Sequence, residues 1–163
     1  MKTLTIAAIA ALLPMAAMAE TQVTVTDAYA RGANPKAGAA FMTFHNPTDK
    51  DCQLVAAHSD VSMKTELHTH KEVDGVMQML RVDEGFTIPA KGEHALARGG
   101  DHVMFMGLKS PLENGQQVPV TLDFGDCGSM DLTVTVDNDR QPMKGMMHGD
   151  MGHQHGKPMG KTN

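Results

Sequence analysis

The sequence predicts an all-β domain, and three observations carry that prediction. Between residues 23 and 136, short runs rich in Val, Thr, Phe and Leu alternate apolar with polar positions. Turn signals recur at intervals of roughly ten residues, the spacing of a sandwich or barrel. No window of helical length sustains a 3.6-residue apolar period. The expected strands are 23–31, 38–45, 53–58, 63–70, 76–82, 94–98, 102–108, 117–124 and 130–136. Between them lie Asn46-Pro47-Thr48-Asp49, Val73-Asp74-Gly75, Ile88-Pro89-Ala90, Gly99-Gly100-Asp101, Glu113-Asn114-Gly115 and Gly125-Asp126-Cys127-Gly128. These residues tolerate positive φ or fix a bend. An antiparallel core of two facing sheets is the architecture that buries such half-apolar strands.

The two ends of the chain read differently from the middle. Lys2, the apolar run 4–13 and the small residues of Ala17-Met18-Ala19 form the pattern of a secretory signal peptide, residues 1–19, cut before Glu20. The run falls short of the roughly 20 residues that a membrane-spanning helix needs. The β domain is expected over 20–137 and a tail over 138–163, with 137–142 as linker. From Arg140 onward there is no aromatic residue and no Val, Ile or Leu, so the tail cannot bury enough apolar surface to fold and is expected to be disordered.

Charge and composition exclude some functions and single out another. Without the leader the chain carries thirteen basic and nineteen acidic residues, one Tyr and no Trp, which gives no footing for nucleic acid. Nor does any nucleophile–base pair, carboxylate dyad or phosphate-cradling Gly loop stand in a context that would support catalysis. Methionine is the anomaly. Twelve remain after the leader is removed, beside nine His.

Three segments concentrate these residues: Glu66-Leu67-His68-Thr69-His70, Val76-Met77-Gln78-Met79 and His102-Val103-Met104-Phe105-Met106. Alternate side chains of a strand share a face, so His102 projects beside Met104, His68 beside His70, and Met77 beside Met79. A hairpin turning at Val73-Asp74-Gly75 would carry His68 or His70 to Met77 or Met79. Thioether sulfur is a soft, neutral donor that selects Cu(I), whereas hard cations prefer oxygen. It binds without losing a proton, unlike a thiol, and it does not end as a disulfide in an oxidising compartment. A site of two His and two Met should hold Cu(I) yet release it to a thiolate-bearing acceptor, which is what a carrier requires. Core packing is the competing role for any single Met, because Met fills irregular gaps. Its repeated pairing with His at two-residue spacing favours the metal.

Over residues 23–136 the sequence resembles the periplasmic PCuAC copper chaperones, also called the DUF461 family. The resemblance is carried by Leu67-His68-Thr69-His70, by Asp74-Gly75-Val76-Met77-Gln78-Met79, by Ile88-Pro89-Ala90, and by the run from Gly99 to Leu108. The family pattern is a His, ten residues, a Met, about twenty-one residues, then His-x-Met. His68, Met79, His102 and Met104 fit it, with twenty-two residues between Met79 and His102, so Met77 stays an alternative donor from its strand. The resemblance implies a cupredoxin-like β-sandwich, a Cu(I) site near solvent at those four residues, and delivery of copper to the binuclear centre of cytochrome c oxidase. The recipient would be a periplasmic or membrane-anchored assembly protein or an oxidase subunit. It also implies a periplasmic protein, expected to be a monomer without membrane insertion after cleavage. His70 is a further candidate ligand. So are the tail residues Met143, Met146, Met147, His148, Met151, His153, His155 and Met159, where His suits Cu(II) and Met suits Cu(I), raising the local copper concentration.

Cys52 and Cys127 are the only cysteines, and in an exported chain a structural disulfide is the simplest use of such a pair. A blue-copper electron-transfer site is the rival, with Cys52, His58 and Met63 as a superficial match. For the whole protein the alternative to a carrier is a copper store that confers tolerance without a dedicated recipient.

Overall fold

The computed structural model describes residues 21–141, and within them the chain is almost entirely strand and turn. In chain order the strands are β1 Thr24–Asn34, β2 Ala37–His45, β3 Cys52–Leu54, β4 Ala56–His58, β5 Ser62–Val73 and β6 Val76–Arg81. They continue with β7 Phe86–Ile88, β8 Glu93–Leu96, β9 His102–Leu108, β10 Gln117–Asp123 and β11 Ser129–Val136, with one 3-10 turn at Gly125–Cys127.

The main sheet runs β4-β10-β11-β1-β2-β9-β5-β6, with β8 pairing the second half of β2. Strands β3 and β7 form a separate two-stranded sheet. Near the two ends of the long path β4 packs against β5, so the sheet folds around its own apolar face. Every pair is antiparallel except β1 with β11, which run parallel. That exception follows from the chain closing the fold on its first strand, where no hairpin dictates direction.

Alternation explains which residues meet inside. On β10, Val118, Val120 and Leu122 are buried while Gln117, Pro119 and Thr121 face water. Ala40, Met42 and Phe44 of β2 join Val103 and Phe105 of β9 and Leu67 of β5 in one core. Phe44 meets Phe124 edge to face at 5.6 Å, a favoured aromatic geometry. Cys52 and Cys127 are joined by a disulfide that ties β3 to the 3-10 turn across 75 residues of sequence. Closing a loop of that length removes unfolded-chain entropy and contributes typically about 2–4 kcal/mol. Since the Cys52 sulfur is bonded, it offers no thiolate, and the blue-copper reading loses its ligand.

One expected strand comes out differently, and one strand lies outside the expected set. The run 53–58 is two short strands that part at Val55, whose N–H bonds the Asp123 carbonyl. The first half then pairs β7 and the second pairs β10. β7 itself was not expected. It is three residues long, and the turn before it depends on Gly85, where φ is +77° and a Cβ would sit 2.1 Å from the Leu54 carbonyl oxygen.

After β11, residues 138–140 stay on the domain rather than leading away from it. Asn138 accepts from the Gly32 N–H and donates to the Leu112 carbonyl. Arg140 pairs with Asp27, and its guanidinium lies 4.3 Å from the centre of the Tyr29 ring. The expected signal peptide (1–19) and the tail candidates from Met143 to Met159 lie outside the described residues. Among the described residues no helix is long and apolar enough to cross a membrane.

Candidate metal centre

Strand register assembles the site. β5 and β9 pair with Leu67 opposite Val103, and both side chains enter the core. Their neighbours therefore point to the other face: His68 opposite His102, and Glu66 opposite Met104. Across the next ladder, His70 stands opposite Met79 and His68 opposite Arg81. The hairpin that joins β5 to β6 turns on Asp74 and Gly75, both with positive φ (52° and 78°), as a two-residue turn between twisted strands requires. On the other side of β9, Ala39 of β2 is the direct partner of Met104, and the Phe41 ring lies 6.0 Å from His102.

One face of the sheet thus gathers His68, His70, Met79, His102 and Met104 from three strands. His70, Met79, His102 and Met104 line an open pocket of about 290 Å³, with Ala39 and Phe41 as its apolar side. Three of the four residues that the sequence pattern singles out lie on this pocket. The fourth, His68, flanks it as the cross-strand partner of His102, and His70 occupies the lining position beside Met79. Met77 is exposed on the outer part of β6, opposite Glu72, and does not line the pocket.

The nitrogens can be assigned from their partners. His102 is 2 % exposed, and its Nδ1 lies 2.9 Å from the Gly100 carbonyl oxygen. A carbonyl only accepts, so Nδ1 carries the proton and Nε2 is the free nitrogen. Burial pushes the His102 pKa below the ordinary imidazole value, and the neighbouring His70 and His68 push it the same way. The Gly100 bond works against them. His102 is therefore neutral at pH 7, the form that can donate a lone pair to a metal.

His68 and His70 each have a buried Nδ1 without any hydrogen-bond partner. Buried polar atoms are almost always paired, so two orphan nitrogens in one cluster call for a functional explanation. The ring of His102 lies 6.0 Å from that of His68 at 61°, and 5.2 Å from that of His70 at 27°. Lone pairs lie in the ring plane. The steeper inclination suits two imidazoles converging on one ion better than near-parallel stacking does.

Glu66 is the residue that the sequence reading did not single out. Its carboxylate lies 3.0 Å from His68 Nε2 and 2.7 Å from Arg81 Nη1, and it also pairs with Lys64. The Lys64 and His68 hydrogen bonds, with Arg81 adding its charge, hold its carboxyl down to about 2 against the cost of burial. The alternation Glu66-Leu67-His68 already places it on the histidine face, and that was the available signal.

The remaining described histidines are engaged elsewhere or exposed. His45 lies between Thr26 and Glu93, His94 bonds Asp101 and stacks on Phe86, and His58 is exposed on β4. Among the described residues no three His, Cys, Asp or Glu side chains form a metal-holding group by themselves. Met79 and Met104 line the same pocket as His70 and His102, so sulfur and nitrogen donors are both at hand there.

Comparison with known proteins places the chain. The family model described as LpqE-like matches residues 23–136. The curated protein "Putative lipoprotein Lxx21020" of Leifsonia xyli subsp. xyli is 37 % identical over 114 residues, covering 70 % of this chain and 69 % of that one. Among solved structures, apo-DR1885 from Deinococcus radiodurans is 34 % identical, with a TM-score of 0.56 over 85 % of this chain and 95 % of that one. The Cu(I) form of DR1885 is 35 % identical, with a TM-score of 0.54 over 72 % and 82 %. The copper-bound PCuAC domain from PmoF2 shares the fold at a TM-score of 0.60 and 16 % identity, over 75 % of this chain and 98 % of that one. The architecture is the cupredoxin-like β-sandwich of the PCuAC domains, and the chain belongs to the LpqE-like family.

Proposed function

We propose that this protein is a copper carrier whose folded domain holds Cu(I) with imidazole and thioether donors and gives it up to an acceptor. The observation that carries the reading is the single face of β5, β6 and β9 where two His with unpartnered buried nitrogens meet His102, Met79 and Met104. His102 through Nε2, Met104, Met79 and His68 form the proposed ligand set, with His70 as an additional donor at the pocket. The copper forms of DR1885 and of the PmoF2 domain, which share this fold, support the choice of metal. Thioethers make the site soft and keep it neutral, so it favours the monovalent ion and releases it without a proton having to return.

The reading is non-catalytic: the domain binds and hands over. The proposed setting is the periplasm, reached through the leader at residues 1–19 and consistent with the disulfide and with the lipoprotein name of the relative. The proposed recipient is a copper-accepting protein of oxidase assembly, and the His- and Met-rich segment 143–159 gathers further copper for the folded site. Titration with Cu(I) against a competing chelator tests the core of this. His102→Ala and Met104→Ala should each lose most of the affinity of the first bound ion, and parent-like binding by both would place the site elsewhere. Deleting residues 142–163 separates a carrier from a store. A carrier still delivers one ion, whereas a store loses most of its capacity.

A further inference from the structure

We propose that Glu66 is a positioning residue for the copper site: by accepting the Nε2–H of His68 it leaves Nδ1 as the nitrogen that meets the metal. The inference rests on the copper reading above and deepens it by naming which atom of His68 is used.

Both oxygens of Glu66 are committed. Oε1 is held by Lys64 and by Arg81, and Oε2 by His68. An ionised carboxylate is acceptor-only, so the nitrogen facing it must carry the proton. Lys64 and Arg81 face Glu66 as two cations, and it faces His68 as an acceptor. The other nitrogen of His68 is then a bare lone pair, buried and unpartnered in the cluster. Across the ladder the arrangement is inverted: His102 gives its Nδ1 proton to the Gly100 carbonyl and keeps Nε2 free. Two imidazoles directly opposite each other thus present different nitrogens. Groups that hold the far N–H of a metal-binding His fix its tautomer and orientation and raise its basicity. Glu66 is placed to do this for His68, as the Gly100 carbonyl is for His102.

Glu66→Gln gives a sharp test, because Lys64 and Arg81 are donors only and will retain the amide oxygen. The amide NH2 then faces His68 Nε2 and donates to it, which drives the proton to Nδ1. Histidine-labelled full chain, observed by long-range proton–nitrogen NMR with and without one equivalent of Cu(I), reads the tautomer directly. The parent should show the Nε2–H form of His68, with Nδ1 shifting on copper addition. Glu66→Gln should show the Nδ1–H form and a Cu(I) affinity about 10–100-fold lower, the usual cost of losing such a partner. Arg81→Ala removes a cation but not the Glu66–His68 bond, and should keep the parent tautomer. A parent His68 protonated on Nδ1, copper on Nε2, or parent-like binding by Glu66→Gln overturns the assignment. If His102→Ala also binds like the parent, the copper reading falls with it. If His102→Ala loses copper while Glu66→Gln does not, only the role of Glu66 fails.

Discussion

The two faces of β5 and β9 are built from the same strands and obey opposite rules. On the inner face Leu67, Val103 and Phe105 are almost fully buried and ask only for volume. On the outer face Glu66, His68, His102 and Met104 stand in the same register, yet two nearby ring nitrogens have no partner. A one-residue slip of the pairing would exchange the two sets, at the cost of burying charge and exposing the core. The apolar face therefore holds the register, and the register brings the donors together. The core packs on one side of the sheet, and the candidate ligands gather on the other.

This contrast can be broken deliberately. Phe105→Ala removes a fully buried ring and should cost about 3–5 kcal/mol of folding free energy, measured by urea denaturation of the metal-free protein. Serine at both Cys52 and Cys127 should cost about 2–4 kcal/mol in the same assay and leave the register of β5 and β9, and so copper affinity of the folded fraction, unchanged. His102→Ala should do the reverse. Stability at pH 7 should change by about 1 kcal/mol, the usual size for a point substitution, while Cu(I) affinity falls by about tenfold or more, or 1.4 kcal/mol, in chelator competition.

The dependence of stability on pH sharpens the same distinction. His102 has a folded pKa below its unfolded value of about 6.5. Below that pH the unfolded chain takes up a proton that the folded one refuses, so stability falls as pH drops from about 6.5. Above it both forms are neutral and the contribution is flat. Glu66 acts lower down: its folded value of about 2 against the ordinary 4.5 adds stability above 4.5 that is lost as pH falls toward 2. Denaturation midpoints across pH should therefore lose the upper limb in His102→Ala and the lower limb in Glu66→Gln. Unchanged midpoint profiles in both variants would mean that these groups titrate alike in the folded and unfolded chains.

Legibility in the sequence followed the physics of alternation. β9 has the bounds that its pattern predicts, His102–Leu108, because Val103 and Phe105 leave little choice of face. The β5–β6 hairpin is readable from Asp74-Gly75, and with it the approach of His68 or His70 to Met77 or Met79; the register then selects His70 with Met79. Neighbours across non-hairpin ladders were not readable. Nothing local in Leu67 or Val103 says that they pair, and so the contact of His68 with His102 and of Glu66 with Met104 needed three dimensions. The parallel pairing of β1 with β11 was hidden for the same reason. Short pieces escaped as well: three-residue β7 has too few positions to show a period. The stretch after β11 looked like linker by composition, yet the side chains of Asn138 and Arg140 fasten it to β1 and its surroundings.

The account turns on nitrogen and sulfur sharing one ion. X-ray absorption at the copper edge, on protein lacking residues 142–163 and loaded with one equivalent of Cu(I), reads both donor types at once. A mixed shell of imidazole nitrogen and thioether sulfur is the predicted result, with the sulfur contribution reduced in Met104→Ala. A shell without sulfur, or a protein that retains no Cu(I), would contradict the account.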